Sequence, residues 1–241
     1  MALPKIDAPV YEIDLPLSKK HIRFRPFLVK EQRNLLMAME SDDKDTIEKN
    51  IKQILHNCTL TEDLDIDKLP ILDVEFYFLN LRARSVGEIV TNKYRCENIV
   101  EDKPCGGMME ADVNLLDIKV DMSNTPDDLI QINDKIFVKL RYPQYSIVSS
   151  ANKFALATDM AFNMIIESIE YITDSEQYYY ANETDPSELN DFVESLSQEQ
   201  FSKIENFFNN LPRMVKTLDM TCKKCGFQHH IEVEGLEDFF G

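Results

Sequence analysis

Residues 220–235 read MTCKKCGFQHHIEVEG. Cys222 and Cys225 stand two residues apart, and Gly226 follows the second. At this spacing two thiolates can converge on one ion, because the short gap folds backbone N–H groups back toward the sulfurs. A glycine behind the second cysteine permits the left-handed bend that closes the turn. The flanks, VKTLDMTC before and FQHHIEVEG after, alternate as strands. The stretch therefore reads as a knuckle between two strands, half of a four-ligand site. The fold turns on where the other half lies.

The chain has five cysteines, so one is left over in a four-ligand scheme. Cys58 is that one. In DTIEKNIKQILHNC the residues Ile47, Ile51, Ile54, Leu55 and Cys58 fall on one stripe of a helix, and Cys58 reads as a small buried hydrophobe. Cys96 and Cys105 remain. They lie between EIVTNKYRC and MMEADVNL, whose Met109, Ala111, Val113 and Leu115 alternate with period two, and Cys105 is followed by Gly106 and Gly107. Two such knuckles, each giving two thiolates to a tetrahedral ion, make the layout of a zinc ribbon. Cys96, Cys105, Cys222 and Cys225 are accordingly the expected metal ligands, and Zn2+ the expected ion. The gap ENIVEDKP between Cys96 and Cys105 is eight residues long, a knuckle with an enlarged loop. Reduced core thiols or a metal-free ribbon are the competing reading. His229 or His230 could replace a cysteine as ligand; on an alternating strand, one of them faces inward and the other water.

The remaining segments give an α+β fold. An N-terminal β-hairpin (VYEIDLPL, then HIRFRPF) and helices occupy 1–90. The third of these helices, DKLPILDVEFYFLNLRARS, is apolar around nearly its whole circumference, which places it centrally in the core or with one face on a partner. The first half of a split zinc-ribbon-like module covers 91–116. An inserted hairpin plus helical region covers 117–216, with LIQI and KIFVKL flanking Asn133-Asp134. Helices are expected through 145–216, Phe162, Ile165, Ile169 and Ile172 marking one face, and SEQYYYANETD is expected as a loop. The second half of the module and a C-terminal tail cover 217–241. In that tail Leu236, Phe239 and Phe240 dock either on the chain's own ribbon or in a partner's pocket.

Charge narrows the function. With 26 basic and 43 acidic residues among 241, the net charge is −17. Such a surface repels phosphate backbones, and the one dense basic run, KKHIRFR, would be split across a strand's two faces. No nucleic acid is expected as partner. No apolar run approaches a membrane span, and the N-terminus lacks the pattern of a secretory signal. Reduced cysteines follow. No nucleophile elbow, phosphate-binding loop, dinucleotide glycine motif or His-Glu-x-x-His is present. A four-thiolate site leaves no open coordination position, so it is structural. The expectation is a non-enzymatic protein with no catalytic residues, working through protein–protein contacts, a homo-oligomer among its options. The alternative is a zinc-ribbon regulator that binds nucleic acid or the transcription machinery; against it, Glu232, Glu234, Glu237 and Asp238 closely follow Lys223 and Lys224.

Several stretches together resemble one family. ESLSQEQFSKIENFFNNLPRM, then CKKCG and IEVEGLEDFF, are similar to baseplate hub proteins of T-even-like contractile-tailed bacteriophages. FRPFLVKEQRNLLMAMES, ILHNC, LPILDVEFYFLNLRARSVGE and the first cysteine pair resemble the same family, so nearly the whole chain is covered. The resemblance implies a late protein needed to build the central hub of the tail baseplate, as a hub subunit or as an assembly factor. It implies other hub or tail proteins as partners, and a place in the host cytoplasm during assembly or in the virion. It brings no catalytic residues; the four cysteines are the positions it carries over.

Overall fold

The structure, a computed structural model, describes residues 7–41, 43–148 and 156–240. The fold is α+β, with several small antiparallel sheets and helices in two compact units. The first unit comprises Met1–Leu64, Leu72–Asp121 and Arg213–Gly241; the second comprises Asp65–Ile71 and Met122–Pro212.

The first unit opens with the hairpin β1 (Tyr11–Asp14) and β2 (His21–Phe24), in register Tyr11↔Phe24 to Asp14↔His21. Its turn is held from below. Asp73, fully buried, accepts the N–H groups of Leu17 and Ser18 at 2.8 Å each, which gives a buried carboxylate the partners it needs. Helix α1 (Val29–Glu40) begins with Glu31 accepting the Leu28 N–H at 2.8 Å and pairing with Arg25 at 3.1 Å. Helix α2 (Lys44–Cys58) buries Ile54, Leu55 and Cys58, the end of its apolar stripe. Burial pushes the Cys58 thiol up to about 11, so this cysteine is an inert core residue.

Helix α3 (Ile71–Val86) starts directly after Pro70. Leu72, Val74, Tyr77, Phe78, Leu79, Leu81 and Ala83 are all buried, which makes it the central helix. Full burial of side chains the size of its leucines and Phe78 is worth roughly 1.5–3 kcal/mol each. The Tyr77 hydroxyl would be stranded at this depth, and it finds Thr59 Oγ1 at 3.0 Å.

Next come β3 (Ile89–Arg95), the two-residue strands β4 (Ile99–Val100) and β5 (Lys103–Pro104), and β6 (Met108–Asn114). β3 pairs with β6 from Ile89↔Asn114 to Arg95↔Met108, and β4 pairs with β5 inside that hairpin. β7 (Lys119–Asp121) joins β12 (Arg213–Thr221), which pairs with β13 (Gln228–Glu234). One core runs through these strands: Leu79, Met109, Val113, Leu115, Met214, Leu218 and Val233 pack with Cys96, Cys105 and Cys222. The tail closes it. Phe239 is fully buried in this cluster and Leu236 packs against it, while Asn92 donates to the Asp238 carbonyl at 2.9 Å. The tail thus docks on its own unit. The Phe240 side chain lies outside the described residues.

The second unit is a four-stranded antiparallel sheet with helices against one face. β8 (Leu129–Gln131) and β9 (Phe137–Leu140) form the expected hairpin. Asn133 stabilises its turn by accepting the N–H groups of Lys135 and Ile136 at 2.9 Å. Helices α4 (Ala157–Ser168), α5 (Pro186–Glu194) and α6 (Gln198–Asn209) follow, and the last two are capped by side chains. Asp185 accepts the Ser187 N–H with Pro186 in the first turn, and Ser197 and Gln200 form a capping box.

Two expectations fail here. The helix does not run on through Ile169 and Ile172: both sit on β10 (Ile169–Thr173). Their spacing of three puts both in the core because the register shifts between Ile169 and Tyr171. That bulge lets a strand imitate a helical step. SEQYYYANETD is not only loop, since β11 (Tyr178–Tyr180) pairs with β10; β-branched and aromatic residues prefer the sheet once a neighbour is present. The part of the helical expectation over 149–155 lies outside the described residues.

Candidate metal centre

The two cysteine pairs close in the same way. In the second, the Cys222 N–H donates to the Phe227 carbonyl at 2.9 Å and the Gly226 N–H to the Cys222 carbonyl at 2.8 Å. In the first, the Cys96 N–H donates to the Gly107 carbonyl at 2.8 Å and the Gly106 N–H to the Cys96 carbonyl at 3.0 Å. The glycine behind each second cysteine is left-handed, φ +63° at Gly106 and +74° at Gly226. The eight-residue gap does not loosen this closure. It folds into the β4/β5 hairpin, with Glu101 and Asp102 left-handed at the tip, and the Cys105 N–H donates to the Asn98 carbonyl at its neck at 2.8 Å.

The two knuckles bring all four sulfurs together, each within 4.8 Å of the others. Cys96 and Cys225 Sγ are 3.7 Å apart, and Cys105 and Cys222 Sγ 3.8 Å. A disulfide needs about 2.05 Å, and the cysteines are free. An ion held by four sulfurs at about 2.3 Å sets tetrahedral edges of roughly 3.8 Å. The donor set therefore fits a metal ion, which Cys96, Cys105, Cys222 and Cys225 could hold together.

The electrostatics agree with the geometry. Each sulfur accepts the N–H two residues on: Asn98 to Cys96, Gly107 to Cys105, Lys224 to Cys222 and Phe227 to Cys225. The Phe227 N–H is the main cause that brings the Cys225 thiol down to about 6. The Cys225 and Lys224 N–H groups lower Cys222 against the effect of burial. Burial pushes Cys96 up to about 12. Cys105 is raised too: the Gly107 N–H pulls it down, but burial and the Cys225 and Cys222 sulfurs outweigh it. Two thiols up and two down is how four crowded acids share charge. A divalent cation held by the four sulfurs would remove that conflict and deprotonate all of them.

Gly107 is the tightest point. A Cβ there would lie 2.7 Å from Cys222 Sγ and 3.1 Å from Lys224 Cβ. Around the site, Lys224 Nζ donates to the Cys105 carbonyl, the Arg95 guanidinium lies against Gly106, and Asn98 Nδ2 is 3.7 Å from Cys225 Sγ. His229 and His230 divide as a strand requires. His230 faces out onto Asp219, while His229 turns in, its Nε2 at 3.2 Å from Cys96 Sγ. Sequence reading did not single out Asn98 or the close approach at Gly107. The Gly-Gly doublet was the visible signal for the second.

Residues 8–241 match the family model described as T4 bacteriophage base plate protein. Over 231 residues the chain is 25% identical to the baseplate hub assembly protein gp26 of Enterobacteria phage T4, covering 95% of this chain and 97% of the relative. No solved structure matches.

Proposed function

The chain belongs to the T4 bacteriophage base plate protein family, and we propose that it is a non-enzymatic protein of the baseplate hub, a hub subunit or hub assembly factor acting through contacts with other tail proteins. The observation that supports this most is the full-length correspondence with a hub assembly protein. The chemistry is consistent. The one cluster of metal-ligating side chains among the described residues has sulfur at all four positions, a donor set that stabilises a fold and offers no site for substrate.

In this reading the four cysteines hold one structural Zn2+. Residues 91–116 and 217–241 then act as a single split module, fastened across 117 and 129 residues of sequence. Soft thiolates in tetrahedral array select zinc over harder cations. No helix among the described residues is long and apolar enough to cross a membrane, and the net charge of −17 disfavours nucleic acid. The protein works in the host cytoplasm while the tail is built, with the baseplate as its place in the particle if it stays.

A phage lacking the gene tests the reading. Tails without hubs are expected, rescued by the protein in trans; normal infectious tails would overturn it. Mass spectrometry of purified virions then separates the two forms: the chain is present if it is a subunit and missing if it is an assembly factor.

A further inference from the structure

His229 lies outside the ligand set yet touches it, and the two knuckles differ where it does. In the compact knuckle Cys222 accepts two backbone N–H groups, from Lys224 and Cys225, two and three residues on. In the open knuckle the residue three on from Cys96 is Ile99, which begins β4 and pairs with Pro104. Besides the Asn98 N–H, the polar side chain that reaches Cys96 is an imidazole, His229 Nε2 at 3.2 Å from Sγ.

β13 aims it there. His229, Ile231 and Val233 share the strand's inner face, His229 sits opposite Met220, and the Phe227 ring packs edge-on against the imidazole with centroids 4.8 Å apart. Cys96 itself is 1% exposed, so water cannot supply a second donor. A buried thiolate needs hydrogen bonds to spread its charge, and four thiolates on one divalent ion leave two negative charges to be spread.

We propose that His229 is a positioning residue for the metal site. Its Nε2–H donates to the Cys96 thiolate and replaces the backbone donor that the eight-residue gap takes away. This rests on the four-thiolate reading above. Outer donors of this kind are typically worth 10–100-fold in metal affinity.

The test uses the full chain, loaded with Zn2+ for affinity by chelator competition and with Co2+ for spectroscopy. Wild type is expected to give the intense sulfur-to-cobalt charge-transfer bands of a four-sulfur site; their absence would defeat the zinc reading itself and leave His229 without a role. Given those bands, His229→Leu should bind Zn2+ 10–100-fold more weakly, with the bands moved to longer wavelength but still those of four sulfurs. Bands that show nitrogen ligation in wild type would make His229 a ligand and overturn the proposal. So would unchanged affinity in His229→Leu. Gln can place an amide N–H where Nε2 lies, and Asn falls one methylene short, so His229→Gln should bind more tightly than His229→Asn. Equal affinities for these two would also overturn it, and they decide the matter should the Leu variant not fold. His230→Gln, on the outer face, should match wild type.

Discussion

The two knuckles of this protein reach one geometry by different lengths of chain. Cys222 and Cys225 are joined by two residues, Cys96 and Cys105 by eight, yet each pair closes with the same two backbone hydrogen bonds and a left-handed glycine. A knuckle is thus defined by its closure and not by its spacing. Extra chain is tolerated when it folds into a ladder of its own, as Ile99–Val100 and Lys103–Pro104 do, because such a ladder satisfies its own backbone groups. The cost falls on the donors to sulfur, and there a side chain from β13 stands in.

If both knuckles serve one ion, breaking either should have the same large effect. Cys96→Ser and Cys222→Ser are each expected to abolish stoichiometric zinc. Structural zinc supplies about 10–16 kcal/mol in small zinc peptides, comparable with the whole stability of a domain, about 5–15 kcal/mol. Hydrogen exchange should therefore show protection lost through the strands of the first unit, which share a core with the cysteines. The second unit has a separate core of Val138, Leu140, Ile169, Val193, Ile204 and Phe207 and should keep its protection. Loss in only one of the two variants would mean that the knuckles do not share a metal.

A smaller effect separates the glycines. Gly107→Ala forces a methyl to within 2.7 Å of Cys222 Sγ, and overpacking of this kind costs about 1–3 kcal/mol. It should also weaken metal binding. Gly226→Ala meets nothing within 4 Å and carries only the left-handed backbone penalty, about 1–2 kcal/mol, with zinc retained. Chemical denaturation and chelator competition on the two variants give the comparison; a metal affinity that falls more in Gly226→Ala would contradict it.

The smallest effect should come from making the knuckles alike. Replacing ENIVEDKP by the KK of the second knuckle removes the β4/β5 hairpin. The change in loop-closure entropy amounts to only about 1 kcal/mol, so zinc should still bind. Loss of metal on shortening would show that the hairpin belongs to the clasp.

Much of this was readable in the sequence, for physical reasons specific to each element. Strict alternation at Met109, Ala111, Val113 and Leu115 and the stripe ending at Cys58 have one period each, and the structure follows both. Ile169 and Ile172 misled because a bulge gives a strand a helical spacing, and no local signal marks a bulge without glycine. The tyrosines at 178–180 sit in a polar context and pair with β10 across a short turn, a hairpin hidden because Ile169 and Ile172 carry a helical spacing. At the site, the cysteines and their glycines could be found because metal chemistry fixes residue type. The hairpin in the gap could not, since its turn is Glu101-Asp102 without the glycine such turns favour. The strand pattern turns one of His229 and His230 inward without saying which, and the partner of His229, Cys96, lies 133 positions away.

The central claim is that two distant segments of one unit are clasped by a single ion. Native mass spectrometry of the protein purified under reducing conditions tests it most directly, paired with alkylation of free thiols. The account predicts one zinc per chain, with Cys96, Cys105, Cys222 and Cys225 protected until a chelator is added, and no zinc in Cys222→Ser. A metal-free chain in which these four thiols alkylate as readily before chelation as after it would contradict the account.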